Sequence, residues 1–121
     1  MTEKKVKRTL KDCTMCGLCK ANCPIFKATK SETKGPRGRA IILKNNILDD
    51  IIHQCTLCDS CIVECPENID LPSEIRKARE KAAESGHETP ANKIMITNIR
   101  NHGNPFGKQE KGKIPKDLYC C

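Results

Sequence analysis

Tryptophan is absent from this chain of 121 residues, and aromatic rings of any kind are nearly so: Phe26, Phe106 and Tyr119 are the only ones. Rings dominate the buried area of most small cores, so a core here must be built from aliphatic residues and something else. The hydrophobic fraction is 37%, but ten cysteines are counted in it. Without them it is roughly 29%, low for a self-sufficient core. No run of eighteen or more apolar residues exists, which excludes a transmembrane helix. No apolar stretch follows Met1-Thr2-Glu3-Lys4-Lys5, so no signal peptide is expected. Convincing strand-like alternation is missing too, and the fold class expected is all-α. Lysine and arginine are spread along the chain and interleaved with acids, whereas a nucleic-acid footprint needs them clustered on one face. No nucleic-acid partner is therefore expected.

What the chain has in excess is cysteine, in a repeated pattern. The first run is Cys13-x2-Cys16-x2-Cys19-x3-Cys23-Pro24 and the second is Cys55-x2-Cys58-x2-Cys61-x3-Cys65-Pro66. This is the spacing by which proteins hold two 4Fe–4S cubanes, with the fourth cysteine of each run ligating the other cluster. Cluster one is thus expected on Cys13, Cys16, Cys19 and Cys65, and cluster two on Cys55, Cys58, Cys61 and Cys23. All four positions of each run are cysteine, which favours two 4Fe–4S centres over a 3Fe–4S centre. Two rivals fit less well. Structural zinc uses paired Cys-x2-Cys knuckles, often with histidine, and does not ask for a third cysteine two residues on. A disulfide scaffold gains little from loops as short as Cys-x2-Cys. A reducing, cytoplasmic compartment follows, with any membrane link made through a partner.

Metal would also serve as the staple that a thin core needs, so the cluster-free chain is expected to be largely disordered. The formal charge of +7 overstates basicity. Eight thiolates and two oxidised cubanes together carry about −4 as a formal count.

Between and beyond the runs, the pattern reads as helices. Cys19 and Cys23 are four apart, as are Cys61 and Cys65, a spacing that puts two thiolates on one helical face. Pro24 and Pro66 are expected to stop those turns. Residues 27–36 read as a polar loop, and a helix begins in Arg37-Gly38-Arg39-Ala40-Ile41-Ile42-Leu43-Lys44. It breaks near Asn45-Asn46, and a short helix over roughly 48–53 leads to Cys55. Asp70 is a candidate N-cap with Pro72 in the first turn. Leu71, Ile75, Ala78 and Ala82 keep a helical spacing, and Gly86 closes that helix. Thr89-Pro90 starts another, whose face of Ile94, Met95 and Ile99 runs until Gly103. The small bacterial two-cluster ferredoxins separate their runs by less and use β-hairpins; the interval here has room for two helices.

Other side chains have less to say. His53, two residues before Cys55, reads as an ordinary helix-end residue rather than a cluster-tuning group. His87 and His102 have no ligand context. Arg37 and Arg39 read equally as partners of anionic clusters, as docking residues, or as a solvated helix start. Cys120 and Cys121 are adjacent, a poor arrangement for ligating one tetrahedral metal.

The two cysteine runs, Gly35-Pro36-Arg37-Gly38-Arg39, Cys65-Pro66-x-x-Ile69-Asp70-Leu71-Pro72 and His102-Gly103-Asn104-Pro105-Phe106-Gly107 resemble the α-helical ferredoxin domain. That domain occurs in C and D subunits of heterodisulfide reductases. It also occurs in iron–sulfur subunits of glycolate oxidase, lactate utilisation complexes and anaerobic glycerol-3-phosphate dehydrogenase, and a relative forms half of the succinate dehydrogenase and fumarate reductase iron–sulfur subunit. The resemblance covers roughly residues 10–107. Residues 1–11, polar and basic, read as an N-terminal arm; the resemblance implies a dicluster domain over 12–103, and over 104–121 a loosely structured tail or the start of a truncated cysteine-rich domain. The role it implies is a non-catalytic electron-transfer subunit of an anaerobic oxidoreductase. Such a subunit passes single electrons between a flavin- or haem-containing subunit and a cysteine-rich catalytic subunit. The alternatives are a truncated piece of a heterodisulfide reductase or of a glycolate or lactate oxidase-like enzyme, and a free soluble ferredoxin.

Overall fold

The computed structural model describes residues 8–114 and residue 116. The first seven residues of the expected arm, and most of the tail's end, Cys120 and Cys121 included, lie outside the described residues. Among the described residues there is no strand and no helix long and apolar enough to cross a membrane. The chain divides into two compact units, one ending at Ser85 and one beginning at Gly86.

The first unit holds both cysteine runs. Helices α1 (Pro24–Thr29), α2 (Pro36–Lys44), α3 (Ser60–Val63) and α4 (Leu71–Glu84) are joined by 3₁₀ turns at Leu10–Asp12, Leu18–Lys20 and Asp50–Gln54. Its centre is the packing of α2 on α4, with the Leu10–Asp12 turn against α2 and α3 against both α4 and the Leu18–Lys20 turn. Leu71, Ile75, Ala78 and Ala82 are all buried there, with Leu10, Ala40, Ile52 and Ile69. Cys13, Cys55, Cys61 and Cys65 pack round this cluster half-buried, so the aliphatic core ends where the thiols begin. The caps are those the sequence expects. Asp70 accepts from the Ser73 amide at 3.0 Å, satisfying one of the helix's orphan donors, and Pro72 sits in the first turn. Asn45 and Asn46 end α2, the Asn45 side chain donating to Ile41 O at 2.8 Å while Asn46 turns left-handed at φ 54°.

Three expectations are corrected. Pro24 starts a helix instead of stopping one: it is the first residue of α1, and Cys23 is its N-cap. Proline suits that position because its missing N–H has no intrahelical partner to lose, and it pushes Cys23 into an extended conformation, φ −72° and ψ 118°. Cys19 and Cys23 therefore share no helix, and α3 ends at Val63, before Cys65. The short helix before Cys55 is a 3₁₀ turn, Asp50–Gln54, with Asp49 as its cap.

The face α2 buries is Pro36, Gly38, Arg39 and Ala40, while Ile41 is exposed. Gly38 makes this orientation possible. A Cβ there would stand 2.3 Å from Glu32 O and 2.7 Å from the Thr33 Cα, both rigid backbone. Gly38→Ala is expected to destabilise the cluster-loaded protein by about 3 kcal/mol or more, the upper end for overpacking. Denaturant unfolding checks this, and a loss under about 1 kcal/mol would mean that the α2 approach is looser than described.

The second unit contains α5 (Pro90–His102), capped by Thr89 at its start and Gly103 at its end. Residues after it fold back on it. Asn98 Nδ2 donates to Pro105 O at 2.9 Å, and the Phe106 amide donates to Asn104 Oδ1 at 2.9 Å. The Asn-Pro-Phe-Gly piece is thus a helix-closing turn at the head of the expected tail.

Candidate functional site

The two cysteine runs repeat in backbone as well as in sequence. Met15 and Gly17 are left-handed in the first run (φ 60° and 81°), and Leu57 and Asp59 are left-handed at the matching places in the second (φ 54° and 61°). A left-handed residue bends the chain sharply, and only glycine adopts it without steric penalty. Two per run wind each Cys-x2-Cys-x2-Cys stretch into a cup. Gly17 has a second reason to lack a side chain, because a Cβ there would lie 2.9 Å from Arg37 Nη1.

Two cavities result. Cys13, Cys16, Cys19 and Cys65 line the first, with Arg37 on its wall. Cys23, Cys55, Cys58 and Cys61 line the second, with Arg39 on its wall. Cys61 borders both, where α3 packs on the Leu18–Lys20 turn. The fourth cysteine of each run therefore stands in the cavity of the other. Empty space amounts to about 490 Å³ and 350 Å³, open mouths included. Among the described residues no three cysteine, histidine or carboxylate side chains converge as a single ion requires; the thiols ring a space instead.

Electrostatics separates the thiols by position. Cys16 and Cys58 are exposed, and both are held below the ordinary thiol value. The Leu18 amide is the main cause at Cys16, and the Ser60 hydroxyl and amide at Cys58, whose Sγ lies 3.4 Å from Ser60 Oγ. Burial pushes Cys19 up to about 11, reinforced by Cys13, Cys16 and the second run's Cys65. Burial likewise pushes Cys61 up to about 12, reinforced by Cys55, Cys19 and Cys58. Backbone amides reach other sulfurs: Phe26 to Cys23 Sγ at 3.4 Å, Leu57 to Cys55 Sγ at 3.4 Å and Ile69 to Cys65 Sγ at 3.5 Å.

Thiols crowded this way resist becoming thiolates unless a cation lies among them, and iron–sulfur ligation supplies that cation. The metal-free fold behaves oppositely to a loaded one. Cys19 and Cys61 are raised, so the folded chain keeps protons that the unfolded chain gives up from about pH 9, the ordinary thiol range. Stability falls as pH rises from there toward their raised values, because the native state then binds more protons. Residual helicity of the iron-free chain is expected to be greater at pH 7 than at pH 10. Circular dichroism at the two pH values checks this, and equal or greater helicity at pH 10 contradicts it.

Arg39 resolves the three-way reading of the arginines. It is 1% exposed, its Nε donates to Ile51 O at 3.2 Å, and its Nη2 is buried with no hydrogen-bond partner among the described residues. Arg37 is half-buried, donating from Nε to Glu32 Oε1 at 2.6 Å and from Nη1 to Met15 O at 3.4 Å. Neither is a solvated helix start. A buried cationic donor left unpaired on the wall of a thiol-lined cavity fits an anionic polyatomic group in that cavity. Arg79 is a residue that the sequence reading missed. Its Nη2 donates to Cys55 O at 2.6 Å and Ile52 O at 2.8 Å, tying α4 to the entry of the second run. The signal was present, since Arg79 follows Ile75 by four and lies on the same helical face. His53 lines neither cavity, and His87 and His102 are exposed.

A family model for the 4Fe-4S dicluster domain matches residues 9–69, which hold both runs. No curated protein matches the chain.

Proposed function

Because this chain belongs to the 4Fe-4S dicluster domain family, we propose that its eight paired cysteines hold two 4Fe–4S clusters and that it transfers electrons. Cys13, Cys16, Cys19 and Cys65 hold one, and Cys55, Cys58, Cys61 and Cys23 hold the other. The observation that carries this reading is the crossing of fourth cysteines between the two cavities. When bound, each cluster supplies reversible uptake of one electron. The chain's own residues do the rest. The left-handed loops present sulfur to each cavity, and the Phe26, Leu57 and Ile69 amides steady it. The shared Cys61 border keeps the two sites adjacent, as a relay needs.

The finer reading follows the resemblance to heterodisulfide reductase C and D subunits. The chain takes single electrons from a flavin- or haem-bearing subunit and gives them singly to a cysteine-rich catalytic subunit, or the reverse. It sits in the reducing cytoplasm and carries no catalytic residue. The exposed sulfurs Cys16 and Cys58 give each cavity an edge that a partner can approach. Affinity capture of the holo-protein from anaerobic lysate, with mass spectrometry of what accompanies it, tests this. A flavin or haem subunit together with a cysteine-rich subunit is the expected result. A monomeric holo-protein that copurifies with nothing contradicts the complex and favours a free ferredoxin.

A further inference from the structure

The two arginines of Pro36-Arg37-Gly38-Arg39 stand at different cavities, and their charges are not equally spent. At the first cavity, Arg37 is paired with Glu32, and Lys20 Nζ shares the same carboxylate at 2.8 Å. Arg8 pairs with Glu67, which also lines this cavity. These groups are partly in water, where charge is screened. At the second cavity, Arg39 is fully buried and one of its terminal nitrogens has no partner among the described residues. Among the described residues it makes no ion pair with a carboxylate. Arg79 adds a second cation beside Cys55. The carboxylate on this cavity's wall is Asp59, and it is exposed.

An added electron is stabilised by a nearby positive charge, and more strongly where water does not screen it. Hydrogen bonds to cluster sulfur act in the same direction. Backbone amides reach sulfurs of both cavities, from Phe26, Leu57 and Ser60 at the second and from Ile69 and Leu18 at the first, so the buried charge of Arg39 is what sets the two apart. We propose that Arg39 makes the site of Cys23, Cys55, Cys58 and Cys61 the higher in potential, so that it takes the first electron. Arg39 is then a positioning residue for charge, acting on the cluster through the cavity wall. The second site is the resting place for an electron in transit, and the first is the site that must be driven. This rests on the two-cluster reading above.

The test uses the cluster-loaded wild-type chain, reduced stepwise with dithionite as the one-electron donor. Proton NMR follows the paramagnetically shifted β-protons of each assigned cysteine. In the first step the shifts of Cys23, Cys55, Cys58 and Cys61 are expected to change. The reverse order, or simultaneous filling, overturns the proposal. In Arg39→Gln the first midpoint should fall by at least about 59 mV, the one-electron equivalent of tenfold in equilibrium constant. Arg39→Lys should recover most of that fall, and Arg37→Gln should shift the other site less. An unchanged midpoint in a loaded Arg39→Gln protein also overturns it. If that variant holds no iron, the wild-type order still decides. Iron well below eight per chain would instead sink the two-cluster reading, which is distinguishable from eight irons filled in the wrong order.

Discussion

Cys23→Ala is expected to disrupt the site built on Cys55, Cys58 and Cys61 and to leave the site of its own run intact; Cys65→Ala does the reverse. Four observations support the crossing. Cys23 is buried and lines the cavity of the second run. It is extended ahead of Pro24 and shares no helix with Cys19. Cys65 lies past the end of α3 and lines the cavity of the first run. Cys65 is also among the thiolates whose charge helps raise Cys19. Each variant should lose between one iron, leaving a three-iron centre, and about four, leaving one intact 4Fe–4S cluster. Electron paramagnetic resonance, with cysteine β-proton assignments, identifies the surviving site. Loss confined to the run that carries the substitution would contradict the crossed arrangement.

Removing iron is expected to cost the first unit its fold. The buried aliphatic cluster is small, and three of its members are alanine: Ala40, Ala78 and Ala82. Around it lie half-buried thiols and the buried guanidinium of Arg39, whose Nη2 has no partner among the described residues, groups that a cluster-free interior accommodates badly. Metal binding then contributes folding free energy directly. Treating the protein with a strong chelator under reducing, anaerobic conditions should remove more than half of its far-UV helical signal. Anaerobic return of iron and sulfide should restore it. A chelated chain that keeps its helicity and melts cooperatively would show that the core is sufficient without metal.

Much of the skeleton was legible because it rests on local chemistry. Asp70 caps α4 and Thr89 caps α5, and the face of Leu71, Ile75, Ala78 and Ala82 is the buried one. Asn45-Asn46 end α2 where the apolar pattern fails. Other features were illegible for identifiable reasons. Pro24 starts a helix and could not be told from a stop, because proline suits both ends of helical segments. Two apolar residues, Met15 and Leu57, adopt left-handed conformations that nothing in their chemistry favours; only the cup they form explains them. Ile41 looks like core and is exposed, while the charged Arg39 is buried. Which of the two arginines is buried depends on how α2 packs on α4, and that packing is tertiary. The crossing of fourth cysteines was expected from spacing alone, and Cys65 lines the first cavity while Cys23 lines the second.

The most direct measurement of the central claim is iron and acid-labile sulfide per chain, with electron paramagnetic resonance of the anaerobically reconstituted, fully reduced protein. The account predicts about eight irons and eight sulfides, as two 4Fe–4S clusters require, and the spectrum of two neighbouring, interacting paramagnets. Bound zinc, or about four irons with the spectrum of a single isolated cluster, would contradict it.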